Sequence, residues 1–243
     1  MTYEKWTGYT DGDILKLNHK SPADFIDEIK MDYIRPYLPL HGVILEVGSG
    51  SGRLLTRIGL EHKEDYIVVG MDNLPESNDI IRKSITKFEL NGLSVRGDAF
   101  YLPLQDNSID VVCSGGLLEH FNEPDVNMVI NEMVRVLKSG GLFYADIIPY
   151  KRSLCRPLVR SVQWEYENDF NMKKWRDIFI KNRLMNIKMF NGLVLPPDFY
   201  GRWRSSGKMN FMYKHKDFIK SLDNTVLSSI LGFAVFVFGT KGR

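Results

Sequence analysis

Apolar positions in this chain recur with two different periods. From Ser21 to Leu38 they follow a helix: Phe25, Ile29 and Tyr33, with Ile26 and Tyr37, share one face. Ser21 is placed to cap that helix, Pro22 fits its first turn, and Asp24 favours its positive start. Pro36 and Pro39 are expected to end it. From Val43 onward, short apolar runs alternate with helical stretches. VILEV (43–47), YIVVGMD (66–72), LSVRG (93–97), IDVVCS (109–114) and LFYADII (142–148) read as strands. Helices are predicted from Gly52, from Pro75 to Phe88, and from Pro124 to Leu137, the last stopped by Lys138-Ser-Gly-Gly141. Strand–helix alternation of this kind implies a mainly parallel sheet with helices on both faces.

Beyond Pro149 the pattern loosens. A helix is expected over Lys173–Leu184 and a strand over MNIKMF (185–190). Residues 192–215 carry three glycines and two prolines and read as loop. Short helices follow around Lys216–Leu222 and up to Ile230, and GFAVFVF (232–238) is the last strand. The run Ile230–Gly239 is the longest apolar stretch, well short of the roughly 20 residues that span a bilayer.

Composition adds little until it is divided along the chain. The net charge is only +2. Residues 1–150 hold 14 Lys/Arg against 23 Asp/Glu, whereas residues 151–220 hold 16 against 6. A basic later part is compatible with an anionic partner. Two cysteines, Cys113 and Cys155, make neither a disulfide framework nor a cysteine-only zinc site. The first 13 residues lack an apolar signal core, so a cytoplasmic protein is expected.

The candidate chemistry sits at the strand ends. Glu46-Val-Gly48-Ser49-Gly50-Ser-Gly52 places a G-x-G-x-G loop after the first strand. Glycines there permit a tight turn and a close approach of ligand to backbone, and the helix start offers free N–H groups. Asp72 ends the second strand, 20 residues past Gly52, where a carboxylate accepts from ribose hydroxyls. Gly97-Asp98-Ala99 ends the third strand and Ser114-Gly115-Gly116 the fourth. Asp98 suits an adenine amino group and the Ala99 N–H a ring nitrogen. Taken singly, Asp72 and Asp98 are equally ordinary turn or cap residues; their joint placement is what points to a nucleoside. A nicotinamide or flavin fingerprint would need a glycine at position 53, which is Arg53.

In order, spacing and residue type, EVGSGSG, VVGMD, GDAFYLPLQDNSIDVVCSGGLLEHF and EMVRVLKSGGLFYADI resemble four successive motifs of class I S-adenosylmethionine-dependent methyltransferases. The likeness covers about residues 41–148 and is greatest to the group containing ubiquinone/menaquinone-type and related small-molecule enzymes. It implies a Rossmann-like seven-stranded sheet, mainly parallel, with a C-terminal antiparallel strand. It also implies one domain: a helical cap (1–40), a cofactor-binding core (41–148), acceptor-side insertions (149–230) and a closing strand (231–239). By this match Glu46, Gly48, Ser49 and Gly50 surround the methionine part of S-adenosylmethionine. Asp72 holds the ribose, Asn73 lies beside the adenosine, Asp98 and Ala99 hold the adenine, and Ser114 and Gly115 flank the sulfonium.

Some quinone-pathway relatives bind a divalent metal through E-x-x-E-H. Here Gly116 stands where the first carboxylate would be, so no metal is expected before Glu119-His120. His120 is the candidate proton acceptor on the acceptor side, or else a residue ordering the next loop by hydrogen bonding. Trp164, Tyr166, Trp175, Tyr200, Trp203 and Tyr213 are candidates to wall an acceptor pocket, and equally for packing. Arg202, Arg204 and Lys208 around Trp203 suit a phosphate or a nucleic acid, if they are more than a solvated face. The leading expectation is methyl transfer to a lipid-like, quinone or glycan acceptor, in some cases anionic. The alternatives are an RNA or protein methyltransferase and a regulatory protein that binds the cofactor without turnover.

Overall fold

The computed structural model describes residues 21–148, 154, 168, 170–193 and 206–242. Its sheet has seven strands: β1 (Gly42–Val47), β2 (Tyr66–Asp72), β3 (Gly92–Arg96), β4 (Ile109–Gly115), β5 (Leu137–Ile147), β6 (Leu184–Gly192) and β7 (Ala234–Lys241). They lie in the order β3-β2-β1-β4-β5-β7-β6. Neighbours from β3 to β5 run parallel, and β7 is antiparallel to both β5 and β6. The last strand of the chain is thus an interior one.

Eight helices are described: α1 (Pro22–Ile34), α2 (Arg53–Glu61), α3 (Pro75–Phe88), α4 (Glu123–Val136), α5 (Met172–Lys181), α6 (Ser206–Lys214), α7 (Lys216–Ser221) and α8 (Val226–Leu231). Strand alternation divides the core into two apolar layers. Ile44, Val111, Cys113, Tyr144 and Phe236 pack on the side of α1 and α2. Leu45, Val112, Phe143, Val235 and Val237 pack on the other side, against Val126, Ile130 and Met133 of α4 and Trp175 and Phe179 of α5.

The local signals set most boundaries. Ser21 caps α1 through a capping box: its Oγ accepts from Asp24 N at 3.1 Å and its N–H donates to Asp24 Oδ2 at 3.1 Å. The helix yields to a 3-10 turn at Arg35–Tyr37, short of the expected Leu38. The α4 helix is capped by Asn122, whose side chain accepts from Asp125 N at 3.0 Å.

Two expectations are corrected. Lys138–Gly141 does not form a terminating turn but belongs to β5. Leu137 pairs with Ile109, the register slips at a bulge, and pairing resumes with Leu142 opposite Val111. Gly140 sits in the bulge region with φ of +77°, and Lys138 Nζ reaches Asp110 at 2.8 Å. The loop expected over 192–215 contains α6, whose Met209 and Met212 are buried in the layer beside α1. Burial there overrides the local Gly and Pro signals.

Part of the charge division along the sequence is offset in space by pairs among the described residues. Lys216 of α7 pairs with Asp32 of α1 at 3.0 Å and Glu28 at 3.6 Å, and Lys220 pairs with Asp32 at 3.4 Å. Lys174 of α5 pairs with Glu123 of α4. These basic residues fasten later helices to earlier ones.

Candidate active site

A cavity of about 300 Å³ opens where β1, β2, β3 and β4 end. That volume lies at the lower limit for small-molecule sites, about 300–1,000 Å³. The strand ends form one rim because parallel strands deliver all their carboxyl termini to the same edge.

The glycine loop forms its floor. Gly48, Gly50 and Gly52 have φ of +66°, +52° and +66°, a left-handed conformation that glycine adopts without a Cβ penalty. A Cβ on Gly48 would lie 2.7 Å from Leu117 Cδ1, so the loop and the Leu117 side chain meet without spare room. Ser49 is turned inward: its Oγ donates to the Glu46 carbonyl at 2.7 Å and its N–H to the Met71 carbonyl at 3.0 Å. Asp72 fixes the loop from β2, its Oδ2 accepting from Gly50 N at 2.8 Å and its Oδ1 from Leu74 N at 3.0 Å. Each carboxylate oxygen keeps a further lone pair for a ligand. At the far wall, exposed Asp98 accepts from Phe100 N at 3.0 Å, beside Ala99 and Phe100.

Glu46, Gly48, Ser49, Gly50, Asp72, Asn73, Asp98, Ala99, Gly115 and His120 all line this one cavity. Ser114 does not. It is fully buried on the strand side shared with Val112, and its hydroxyl has no hydrogen-bond partner among the described residues. The two-residue period of β4 turns Ser114 away while Gly115 reaches the rim.

Three charged lining residues escaped the sequence reading: Asp27 and Lys30 of α1, and Arg53. Arg53 Nη2 meets Asp24 at 2.8 Å and Asp27 at 2.7 Å, and Arg57 bridges the same carboxylates at 2.9 and 3.3 Å. This pairing straps α1 across the start of α2 and brings Lys30 over the strand ends. Its local signal was only an i, i+3 pair, Asp27 and Lys30, on the polar side of an amphipathic helix.

Glu46 is buried, and its Oε2 accepts from Leu55 N at 3.1 Å. Burial pushes its carboxyl up to about 8, against the lowering effects of the Leu55 N–H and Lys30. His120 lies on the Leu118–His120 turn that follows β4. Burial pushes its imidazole down to about 4, opposed by a hydrogen bond with the Gly116 backbone. The ring is therefore neutral at physiological pH. Neighbouring Glu119 is buried and accepts from Ile148 N at 3.0 Å.

Of the aromatic candidates, Trp175 is buried, stacked on Phe179 and edge-on to Phe170, away from the cavity. Tyr213 packs edge-on against Phe25 of α1. Both are packing residues. Trp164, Tyr166, Tyr200, Trp203, Arg202, Arg204 and the side chain of Lys208 lie outside the described residues, as does Cys155. Cys113 is a buried core residue, its thiol pushed up by burial.

Residues 45–145 match the family model described as a methyltransferase domain. Over that span the chain resembles the class I, S-adenosylmethionine-dependent methyltransferases. This domain is 31% identical to the demethylmenaquinone methyltransferase of Roseiflexus castenholzii, over 53% of this chain and 50% of that protein. Its fold is that of the Haemonchus contortus phosphoethanolamine N-methyltransferase 2, solved with phosphomonomethylethanolamine and S-adenosylhomocysteine. The TM-score is 0.68 at 17% identity, covering 100% of this chain and 61% of that one. A geranyl diphosphate C-methyltransferase from Streptomyces coelicolor has the same fold, with a TM-score of 0.67 at 13% identity and coverage of 98% and 96%. The chain spans about half or less of the length of the curated relatives it matches.

The cavity residues fit the family's cofactor by their chemistry. Asp72 and Asp98 present acceptors for hydroxyl and amino groups. Ala99 and Phe100 present apolar surface to a flat ring, and buried Glu46 suits an ammonium group. No helix among the described residues is long and apolar enough to cross a membrane.

Proposed function

We propose that this domain transfers a methyl group from S-adenosylmethionine to a small-molecule acceptor. The observation that carries the reading is the convergence of Glu46, the glycine loop, Asp72, Asp98 and His120 on one cavity. When bound, S-adenosylmethionine supplies a methyl group already activated by its sulfonium. The protein's task is then alignment and exclusion of water. Asp72 holds the ribose hydroxyls, and Asp98 with Ala99 and Asn73 frames the adenosine. Glu46, Gly48, Ser49 and Gly50 take the methionine end, and Gly115 leaves room beside the reacting atoms. Leu117 and Phe121 keep that end dry. His120 lines the cavity as a neutral imidazole, suited to accept a hydrogen bond or a proton from the acceptor.

The acceptor class is supported by relatives named for small molecules: demethylmenaquinone, phosphoethanolamine and geranyl diphosphate. Two of those names carry phosphate, in keeping with an anionic acceptor. Of the basic stretch, Lys216 and Lys220 turn to α1.

The test is incorporation of label from methyl-tritiated S-adenosylmethionine, offering quinols, phosphobases and prenyl diphosphates in parallel with total RNA and protein. Label is expected in the small-molecule fraction. Label only in RNA or protein would overturn the acceptor class, and tight cofactor binding without any transfer would favour the regulatory reading.

A further inference from the structure

His120 stands on a turn with little of its own to hold it. Leu118–His120 is a single 3-10 turn with no side-chain cap. It is closed by long bonds, from His120 N to the Leu117 carbonyl at 3.2 Å and from Phe121 N to the Leu118 carbonyl at 3.4 Å. Carbonyls at the end of so short a helix lack intrahelical partners. Asn168, 47 residues beyond Phe121, supplies them. Its Nδ2 donates to the Leu118 carbonyl at 3.2 Å and to the Phe121 carbonyl at 3.1 Å, and its backbone N–H donates to the Glu119 carbonyl at 2.6 Å. One residue thus commits its main-chain donor and both side-chain donors to this turn.

Asn168 is itself fixed. Phe170 N donates to its Oδ1 at 3.4 Å, which leaves the Nδ2 end facing the turn. Phe170 in turn packs edge-on against buried Trp175. Toward the cavity the turn presents His120 and Phe121, the latter edge-on to Phe100. Asn168 does not line the cavity. We infer that Asn168 is a positioning residue of this site: by gathering the Leu118, Glu119 and Phe121 carbonyls, it sets where the His120 ring stands relative to the methyl acceptor. The assignment rests on the role proposed for His120 above. A misplacement on the order of 1 Å costs a reacting group about 100-fold in rate, so hydrogen bonds made outside the cavity bear on turnover. The same clamp keeps the ring away from water. Burial lowers the imidazole to about 4, opposed by the Gly116 backbone, with no charged group contributing. Neighbouring Glu119 is turned to Ile148 N. Loosening the turn would hydrate the ring and return it toward its ordinary value.

The test is an NMR titration of the His120 ring in the wild-type domain and in Asn168→Leu, which keeps the size of the side chain and removes its donors. The ring should titrate at about 4 in the wild type and between about 5 and 6.5 in the variant. Affinity for S-adenosylhomocysteine by calorimetry should stay within about twofold. The kcat for methyl transfer should fall about tenfold or more, and further as pH drops from about 7 to about 5. Asn168→Gln, which keeps the amide, should recover part of both effects. A folded Asn168→Leu protein whose His120 titrates as in the wild type would overturn the assignment. So would equal losses of cofactor affinity and kcat, which would make Asn168 a support of the whole cavity. If the variants do not fold, amide exchange in the wild type gives the answer. The Asn168 Nδ2 protons should exchange at least about tenfold more slowly than those of exposed Asn224, and equal rates would overturn the clamp. A wild-type domain that binds no S-adenosylhomocysteine would refute the cofactor reading and with it the role in methyl transfer, whereas the clamp itself is read by NMR alone.

Discussion

Asp72 Oδ2 accepts a hydrogen bond from Gly50 N at 2.8 Å, joining the end of β2 to the glycine loop that follows β1. One side chain thus both shapes the loop and faces the cavity. Asp72→Ala removes the tie together with the acceptors proposed for the ribose. At about 1.5–3 kcal/mol per hydrogen bond to a charged group, the affinity for S-adenosylhomocysteine should fall at least about tenfold. Asp72→Asn keeps one acceptor oxygen and should fall between alanine and wild type. Titration calorimetry on the three proteins checks the order. An alanine variant that binds as wild type would mean that the nucleoside lies elsewhere.

Glu46 and His120 give stability a pH dependence with a definite sign. The Glu46 carboxyl rises to about 8 in the fold from its ordinary value of 4.5. The folded state therefore holds a proton that the unfolded state has released, and stability is lost as pH rises toward 8. His120 falls to about 4 from 6.5, so its contribution is lost as pH falls from 6.5 toward 4. The two oppose each other between about 4.5 and 6.5, and Glu46 acts alone from about 6.5 to 8. Stability should therefore decline across that upper window, by up to about 1.4 kcal/mol per pH unit. Glu46→Gln should flatten the decline in thermal melts. A Gln variant that loses stability just as steeply would place the titrating group elsewhere.

Methyl transfer should survive chelation. Gly116 supplies no carboxylate, and Glu119 already accepts the Ile148 N–H at 3.0 Å inside the protein. Activity with EDTA should match activity without it, measured with the acceptor found in the labelling experiment. A loss that added Mg²⁺ restores would show a metal held by donors other than these.

The sequence by itself determined what local interactions control. The Ser21 capping box, the span Pro75–Phe88, the strand Tyr66–Asp72 and the three left-handed glycines depend on residues a few positions apart. The cofactor motifs were legible for the same reason: each is a short loop at a strand end, and parallel strands gather their carboxyl ends on one rim whatever the strand order. The tertiary structure alone decided the rest. Lys30 and Asp146 lie 116 residues apart and meet only because α1 is strapped across α2 by Arg53 and Arg57. Periodicity put Lys30 on a polar face without saying which part of the protein that face would meet. Lys216 and Lys220 read as part of a basic surface until α7 came to rest against Asp32. Lys138–Gly141 carry the local signs of a stop, yet pairing with β4 carries the strand through them by a bulge. Ser206–Lys214 becomes a helix because Met209 and Met212 find a core to enter. Short-range preferences amount to only fractions of a kcal/mol per residue, whereas burying a large apolar side chain is worth about 1.5–3 kcal/mol, so long-range contact prevails where the two disagree.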